Sequence, residues 1–255
     1  MKALLLSAGQ GKRCLPLTNR LPKCLLPVGA DHTILSWQLA SLATAGIREA
    51  VIVTGFEAGK VERELAQQTG IPAYTVYNPF YDISDNLASV WCALGELAED
   101  YLLINGDTLF APAVPERLLA ARGEITVTIS QKPHYDADDM KVLSTGGRVG
   151  RIGKRVDAGS ADGEAIGLTL LRGEGRDRFA GRIRNALRTS GGRNLWYPAA
   201  LDEIARRDGL ATCMAAPDEW CEVDEPEDLE HAGHAVRRWR AEGSDQATGG
   251  VAAVS

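Results

Sequence analysis

Residues 7–27 read Ser-Ala-Gly-Gln-Gly-Lys-Arg-Cys-Leu-Pro-Leu-Thr-Asn-Arg-Leu-Pro-Lys-Cys-Leu-Leu-Pro, and this stretch decides the fold of the chain. It follows a short apolar run, Ala3 to Leu6, which predicts a buried strand. Glycines at 9 and 11 would let backbone N–H groups approach phosphate oxygens, and Arg13 and Lys23 add two cations. The stretch therefore predicts a strand that ends in a triphosphate-binding loop.

Segments with strand and helix periodicity alternate after this loop. Strands are predicted at Val51–Val53, Ala73–Tyr77 and Tyr101–Ile104, and helices at Thr33–Ala45, Glu57–Gln68 and Leu87–Leu97. This alternation predicts right-handed crossovers and a parallel sheet, with ligands bound outside the carboxyl ends of the strands. The glycine loop and Asp107 both fall at such ends.

The pattern changes from about residue 124. The alternation over Ile125–Ile129 predicts a half-buried strand, and Lys141–Leu143 and Val149–Ile152 flank Thr145-Gly146-Gly147 as a β-hairpin. Further elements are predicted as strands at Ile166–Leu171 and 211–215 and helices near 177–188, 199–208 and 226–240. We therefore predict an α/β fold, a Rossmann-like three-layer αβα sandwich with a mostly parallel mixed sheet.

The composition excludes several classes of protein. The 255 residues are 45% hydrophobic, enough for a sizeable core, and the net charge of -6 argues against a nucleic-acid binder. Five cysteines without a C-x-x-C pair favour reduced thiols in a cytoplasmic protein. The N-terminus does not resemble a signal peptide and no apolar stretch is long enough for a bilayer, so we expect no membrane partner.

The glycine loop is neither of the two common phosphate-binding motifs. It has no Gly-Lys-Ser/Thr after four spacer residues, which excludes a Walker A motif. Cys14 stands where a dinucleotide fingerprint has its third glycine, and Thr54-Gly55 replaces the acidic residue expected at the end of the second strand. An NAD-dependent oxidoreductase is therefore disfavoured. Pro22 keeps Lys23 on an extended segment, which directs its ammonium.

The whole string resembles one family. The chain resembles the nucleotidyltransferases that join a nucleoside triphosphate to a phosphorylated small molecule. The resemblance rests on a strand followed in order by Gly-x-Gly-x-Arg, Pro-Leu-Thr and Leu-Pro-Lys-x-Leu-Leu-Pro-Val. The resemblance runs from Met1 to about Ala232 and implies the nucleotide-diphospho-sugar transferase type of fold. It implies one domain of residues 1–240, with a nucleotide-binding half at 1–110, an acceptor-binding half with a hairpin insertion at 111–240, and a disordered tail at 241–255.

The resemblance also implies roles for individual residues. Arg13 and Lys23 would contact the phosphates being cleaved, and Asp107 and Asp224 would hold Mg²⁺. The implied nucleotide-binding residues are Leu6, Ala8, Gly9, Gly11, Lys12, Asn86, Ser89 and Asp107, and the implied acceptor-binding residues are Lys141, Lys154 and Glu164. Lys12 departs from the family, which usually has Ser or Thr at this position.

The resemblance implies an Mg²⁺-dependent reaction of a nucleoside triphosphate with a small phosphate or phosphonate, releasing pyrophosphate. The acceptor phosphate is already ionised at neutral pH, so no general base is needed and the four histidines need no catalytic role. The segment with Asn86 and Ser89 resembles the cytidylyltransferase branch, which favours CTP. A guanylyl-, uridylyl- or thymidylyltransferase acting on a sugar- or cyclitol-1-phosphate is the alternative, and an inactive nucleotide-binding regulator would lack Lys23 or one of the aspartates. The acceptor, the roles of Trp196 and Trp220 and the oligomeric state stay open, a homo-oligomer included.

Overall fold

The computed structural model describes residues 1–68 and 70–249. The strands are β1 Lys2–Ser7, β2 Pro27–Val28, β3 His32–Thr33, β4 Glu49–Thr54, β5 Ala73–Tyr77, β6 Tyr101–Asn105, β7 Thr108–Phe110, β8 Ile125–Ser130, β9 Lys141–Thr145, β10 Arg148–Ile152, β11 Gly163–Leu171, β12 Ala211–Met214 and β13 Trp220–Glu222. The α-helices are α1 Ile34–Thr44, α2 Ala58–Leu65, α3 Asn86–Ala93, α4 Ala113–Ala120, α5 Gly173–Ala186, α6 Pro198–Asp208 and α7 Asp228–Gly249.

The central sheet is mixed. Among the described residues it has nine strands in the order β10-β9-β11-β6-β1-β4-β5, with β8 pairing both β11 and β12. The strands β6, β1, β4 and β5 are parallel to one another, and β12 is parallel to β8. The strand β11 runs antiparallel to β6, β8 and β9. The predicted α/β fold with a mostly parallel mixed sheet is confirmed.

Successive residues of β1 pack into different helical layers. Leu5 belongs to a cluster with the buried residues of α1, α4 and α7, whereas Leu4 belongs to a cluster with those of α3, α5 and α6. Because side chains of a strand alternate between faces, this division means that helices cover both faces of the sheet. The apolar run that begins the chain is buried for this reason.

Helix α1 begins at a capping box and is attached to the turn after β6. The Thr33 hydroxyl accepts the Ser36 N–H at 3.1 Å, and Ser36 Oγ accepts the Thr33 N–H at 2.9 Å. Gln38 interrupts the apolar spacing of this helix and is fully buried. Its Nε2 donates to the carbonyls of Asn105 and Thr108, each at 2.8 Å, and so fixes the turn that carries Asp107.

The structure corrects two predictions and contains elements that were not predicted. All six residues of β8 are buried, because this strand lies between β11 and β12 with helices covering the sheet, so it is not half-buried. Helix α7 continues past residue 240 to Gly249, so 241–249 are helical, and the rest of the predicted disordered tail, 250–255, lies outside the described residues. Helix α4 and the antiparallel pair of β7 and β13 were not predicted.

The pairing of β7 with β13 positions a second loop at the carboxyl edge of the sheet. Glu222 pairs with Thr108, and the N–H of Val223 donates to the Asp107 carbonyl at 3.1 Å. The residue after Val223, Asp224, is thereby brought next to the end of β6. None of the described helices combines the length and apolarity needed to cross a bilayer.

Candidate active site

A cleft with two lobes lies at the carboxyl edge of the parallel strands. The glycine-loop lobe, about 430 Å³, is lined by residues that include Leu6, Gly9, Gly11, Lys12 and Lys23. The hairpin lobe, about 560 Å³, is lined by residues that include Asn86, Asn105, Met140, Lys154 and Glu164. Both lobes share Arg13, Asp107, Trp196 and Asp224, so these four residues mark the junction of the two lobes.

The glycine loop folds back on itself and onto Lys23. Gly11 has φ +74°, and a Cβ built there would lie 2.8 Å from the Cβ of Lys23, so only glycine fits. The Gly11 carbonyl accepts the Thr18 hydroxyl at 2.8 Å, and Gln10 Nε2 donates to the Thr18 carbonyl at 3.2 Å. Hydrogen bonds within the loop therefore hold its conformation, and the aliphatic part of the Lys23 side chain packs against Gly11.

Two cations and three aspartates meet at the junction. Lys23 Nζ lies 2.9 Å from Asp107 Oδ2 and 2.9 Å from Asp224 Oδ1. Arg13 Nη2 lies 2.6 Å from Asp224 Oδ1, and Arg13 Nη1 lies 2.8 Å from Asp138 Oδ2. Burial acts to lower the pKa of Lys23, but the two carboxylates outweigh it and the net pKa is raised. Lys23 therefore stays charged at neutral pH.

A further carboxyl group lies beside this cluster. Burial, and then the charges of Asp107 and Asp224, raise the pKa of Glu222 to about 8. Its Oε1 accepts the Thr108 hydroxyl at 3.2 Å. Glu222, the last residue of β13, was not predicted as a site residue, although it lies only two residues before Asp224.

The donor set suits a hard divalent cation. Within the described residues, no three His, Cys, Asp or Glu side chains form a metal-binding group. Asp107 and Asp224 nevertheless share one ammonium, so their oxygens converge on a single cation. Mg²⁺ keeps several water or phosphate ligands and needs only one or two protein carboxylates. The aspartate pair fits that ion.

The predicted nucleotide-binding residues are not all on the cleft. Asn86 lines the hairpin lobe, and its Oδ1 accepts the Tyr197 N–H at 2.9 Å. Ser89 is 4% exposed and accepts from Asn78 Nδ2 at 3.0 Å, one layer inside the protein. Ala8 is also buried, and its carbonyl accepts the Phe56 N–H at 2.9 Å. Neither Ser89 nor Ala8 lies among the described lining residues of either lobe.

The predicted acceptor-binding residues likewise lie partly on the cleft and partly outside it. Lys141 is 2% exposed, and its Nζ donates to the carbonyls of Asp136 at 2.5 Å and Asp139 at 3.3 Å, so it supports a turn and lies outside the described lobe lining. Lys154 lines the lobe, with Nζ 3.9 Å from the centre of the Trp196 ring, which makes Trp196 the cation-binding face. Glu164 also lines the lobe, 3.1 Å from Lys132 Nζ.

Comparison with known proteins places the chain in a family. A profile of the MobA-like NTP transferase domain matches residues 3–211. The CMP-5'-(3-aminopropyl)phosphonate synthase of Streptomyces rubellomurinus is 34% identical over 91% of this chain, and a bifunctional IPC transferase and DIPP synthase of Rubrobacter xylanophilus is 29% identical over 95%. This chain spans 38% and 53% of the lengths of those two relatives.

A solved structure has the same fold. The CTP:phosphocholine cytidylyltransferase of Streptococcus pneumoniae superposes with a TM-score of 0.77 at 19% identity, covering 91% of this chain and 97% of that protein. The profile match covers most of the chain, so the chain belongs to the MobA-like NTP transferase domain family and is a nucleotidyltransferase. The family predicted from the glycine loop is confirmed.

Proposed function

We propose that this MobA-like NTP transferase domain transfers the cytidylyl group of CTP to a phosphate or phosphonate oxygen of a small acceptor and releases pyrophosphate. The observation that carries the proposal is the junction of the two lobes. Arg13, Lys23, Asp107 and Asp224 come from three distant segments and meet where a compound in one lobe would touch a compound in the other.

The two cations oppose the repulsion between the reacting anions. The triphosphate would bind in the glycine-loop lobe, which Gly9, Gly11 and Lys23 line, and backbone N–H groups and the ammonium are the donors that suit its oxygens. Arg13 lines both lobes and can contact either phosphoryl group. Because both cations lie at this junction, they would stabilise the charge that grows on the leaving pyrophosphate.

Asp107 and Asp224 hold Mg²⁺ in this proposal. When bound, that ion supplies a positive charge that neutralises phosphate oxygens. Both carboxylates contact the Lys23 ammonium, and if they held the metal, Lys23 would be available to bind the phosphates. The acceptor oxygen is already ionised, so no side chain has to remove a proton.

The proposal that CTP is the nucleotide rests on the names of similar proteins. The Streptomyces relative is named for a CMP-linked phosphonate product, and the structural neighbour for CTP and phosphocholine. Asn86 adds an amide at the edge of the hairpin lobe, although its oxygen is occupied by the Tyr197 N–H. A guanylyl-, uridylyl- or thymidylyltransferase acting on a sugar- or cyclitol-1-phosphate is the alternative that the experiment separates.

The acceptor in this proposal carries a positive charge as well as its phosphoryl group. Among the described lining of the hairpin lobe, carboxylates such as Asp136, Asp139 and Glu225 outnumber the cations. The Trp196 ring already has an ammonium over its face, that of Lys154. An aminoalkyl phosphonate or a phosphocholine suits such a lobe better than a neutral sugar phosphate.

A two-step screen tests the proposed function. Thermal shifts are measured with CTP, UTP, GTP, ATP and dTTP, each with Mg²⁺, and pyrophosphate release is then measured with the best nucleotide and a panel of acceptors. The panel contains 2-aminoethylphosphonate, phosphocholine, glucose 1-phosphate and inositol 1-phosphate. We expect the largest shift with CTP and turnover with an amine-bearing acceptor. A preference for another nucleotide with a sugar or inositol phosphate would support the alternative, and the absence of any nucleotide shift would refute both.

A further inference from the structure

Asp138 links the two cations that face the hairpin lobe. One of its oxygens, Oδ2, lies 2.8 Å from Arg13 Nη1, and the other, Oδ1, bonds Lys154 Nζ. Arg13 comes from the glycine loop and Lys154 follows strand β10, so one carboxylate joins the two sides of the cleft. The Asp138 side chain is 58% exposed, so it lies in the mouth of the cleft and is not packed into the protein.

The turn that presents Asp138 is held by other groups. Asp136 Oδ1 accepts the backbone N–H of Asp138 at 2.7 Å and that of Asp139 at 3.1 Å. Asp139 Oδ2 accepts the Asp136 N–H at 2.8 Å, and the buried Lys141 ammonium donates to two carbonyls of the turn. The side chain of Asp138 takes part in none of these bonds, so replacing it leaves the turn intact.

We propose that the Asp138 carboxylate occupies the place of the acceptor's phosphoryl group, which binds between Arg13 and Lys154 by displacing it. The inference rests on the proposed function and names the phosphoryl subsite of the hairpin lobe. A carboxylate and a phosphoryl group both present anionic oxygens to a pair of cations. The phosphoryl group offers three oxygens and close to two charges, so it can contact both cations at once and compete with a single carboxylate.

Asp138 remains a competitor throughout the neutral range. Its hydrogen bond to Lys154, and then that to Arg13, hold the pKa of the Asp138 carboxyl below its usual value, so the group stays ionised. It therefore keeps Arg13 and Lys154 in position when no acceptor is bound, and it disfavours anions with a single charge. Little free energy is lost when the exposed Asp138 carboxylate leaves the two cations for water, since exposed ion pairs contribute little to stability.

The test measures the binding of inorganic phosphate and methylphosphonate to the full chain by calorimetry. The variants are Asp138→Asn, Lys154→Met and the two combined, with Asp177→Asn as a control that removes a charge from an exposed carboxylate on helix α5. We expect Asp138→Asn to bind both probes about three- to tenfold more tightly, as two exposed ion pairs no longer compete. Lys154→Met should abolish this gain, which assigns it to the hairpin lobe, and Asp177→Asn should bind as the unmodified chain does.

Equal or weaker phosphate binding by Asp138→Asn would overturn the inference, and so would a gain that persists without Lys154. Thermal shifts with CTP and Mg²⁺ are recorded for the same variants. If no CTP binding is seen but the Lys154-dependent gain is, the proposed function fails and the phosphoryl subsite stands. If CTP binds and turns over but the gain is absent, the proposed function stands and the role of Asp138 fails.

Discussion

The Nζ atom of Lys23 lies 2.9 Å from Oδ2 of Asp107, and this contact joins the glycine loop to the end of strand β6. The same ammonium lies 2.9 Å from Oδ1 of Asp224, which follows β13. Lys23 is 12% exposed, so its charge is screened less by water than a surface lysine would be. We expect the residues of this cluster to matter more for turnover than for folding.

Replacing Lys23 with alanine should abolish most of the activity of a protein that still folds. In the proposed reaction the ammonium binds the phosphates, so pyrophosphate release from CTP should fall by on the order of 10²-fold or more. Circular dichroism and the melting temperature check folding. Lys60→Ala, which removes a half-buried lysine of helix α2 that pairs with Glu57, should leave turnover unchanged. Near-normal turnover of Lys23→Ala would contradict the assignment.

Asp107→Asn and Asp224→Asn should each weaken the dependence of the reaction on magnesium. An amide lacks the charge of a carboxylate, so we expect the Mg²⁺ concentration that gives half-maximal pyrophosphate release to rise at least about tenfold. Chelation with EDTA should stop the unmodified enzyme. Asp177→Asn should titrate with Mg²⁺ as the unmodified enzyme does, and an unchanged magnesium titration in both cluster variants would exclude this metal site.

Gly11→Ala should destabilise the protein where Gly9→Ala does not. Gly11 has φ +74° and its added Cβ would lie 2.8 Å from Lys23, whereas nothing lies within 4 Å of a Cβ at Gly9. The left-handed conformation alone costs a side chain about 1–2 kcal/mol. Urea unfolding of both variants measures the difference. Equal stability of the two would show that the loop is not held against Lys23 as described.

Much of the fold could be predicted from short-range patterns. The strand from Ala73 to Tyr77 agrees with its prediction at both ends, and Thr33, the first residue of the predicted helix, is the N-cap of helix α1. The alternation along β8 predicts that its threonines, Thr126 and Thr128, face solvent, and this prediction is wrong. Both are fully buried, since helices cover that face as well. The periodicity of a sequence indicates which face of a strand is polar, but it does not indicate whether a helix covers that face.

Only the site residues that belong to a recognisable motif could be predicted from the sequence. Arg13, Lys23, Asp107 and Asp224 meet at one cleft, although no local pattern relates the first pair to the second. Asp138 was not identified, because its contact with Arg13 spans 125 residues and depends on the turn that Lys141 supports. That lysine was expected to bind the acceptor. Lys141 is buried because the turn folds around it, and its position next to a hairpin strand does not predict this burial.

Glu164 should make the stability of the protein depend on pH. Burial raises the pKa of its carboxyl to about 7, with Lys132 opposing the shift and Asp139 adding to it. The folded protein therefore holds this proton more tightly than the unfolded chain, whose pKa is about 4.3. The contribution of Glu164 to the free energy of unfolding is thus most favourable below about pH 4 and is lost as the pH rises toward about 7.

Glu164→Gln removes this titration. Relative to the unmodified protein, we expect the variant to gain roughly 1–3 kcal/mol of stability between about pH 5 and 8. Urea unfolding at both pH values measures the gain. The variant Glu203→Gln, at an exposed glutamate of helix α6, should show no such change. A constant difference between Glu164→Gln and the unmodified protein at both pH values would contradict the raised pKa.

A crystal structure with CTP and Mg²⁺ would show where the triphosphate binds. We expect the triphosphate in the glycine-loop lobe, with its oxygens on Arg13 and Lys23 and with Mg²⁺ on Asp107 and Asp224. Density for the nucleotide elsewhere on the protein, or a triphosphate in that lobe without contact to Lys23 and the two aspartates, would contradict it.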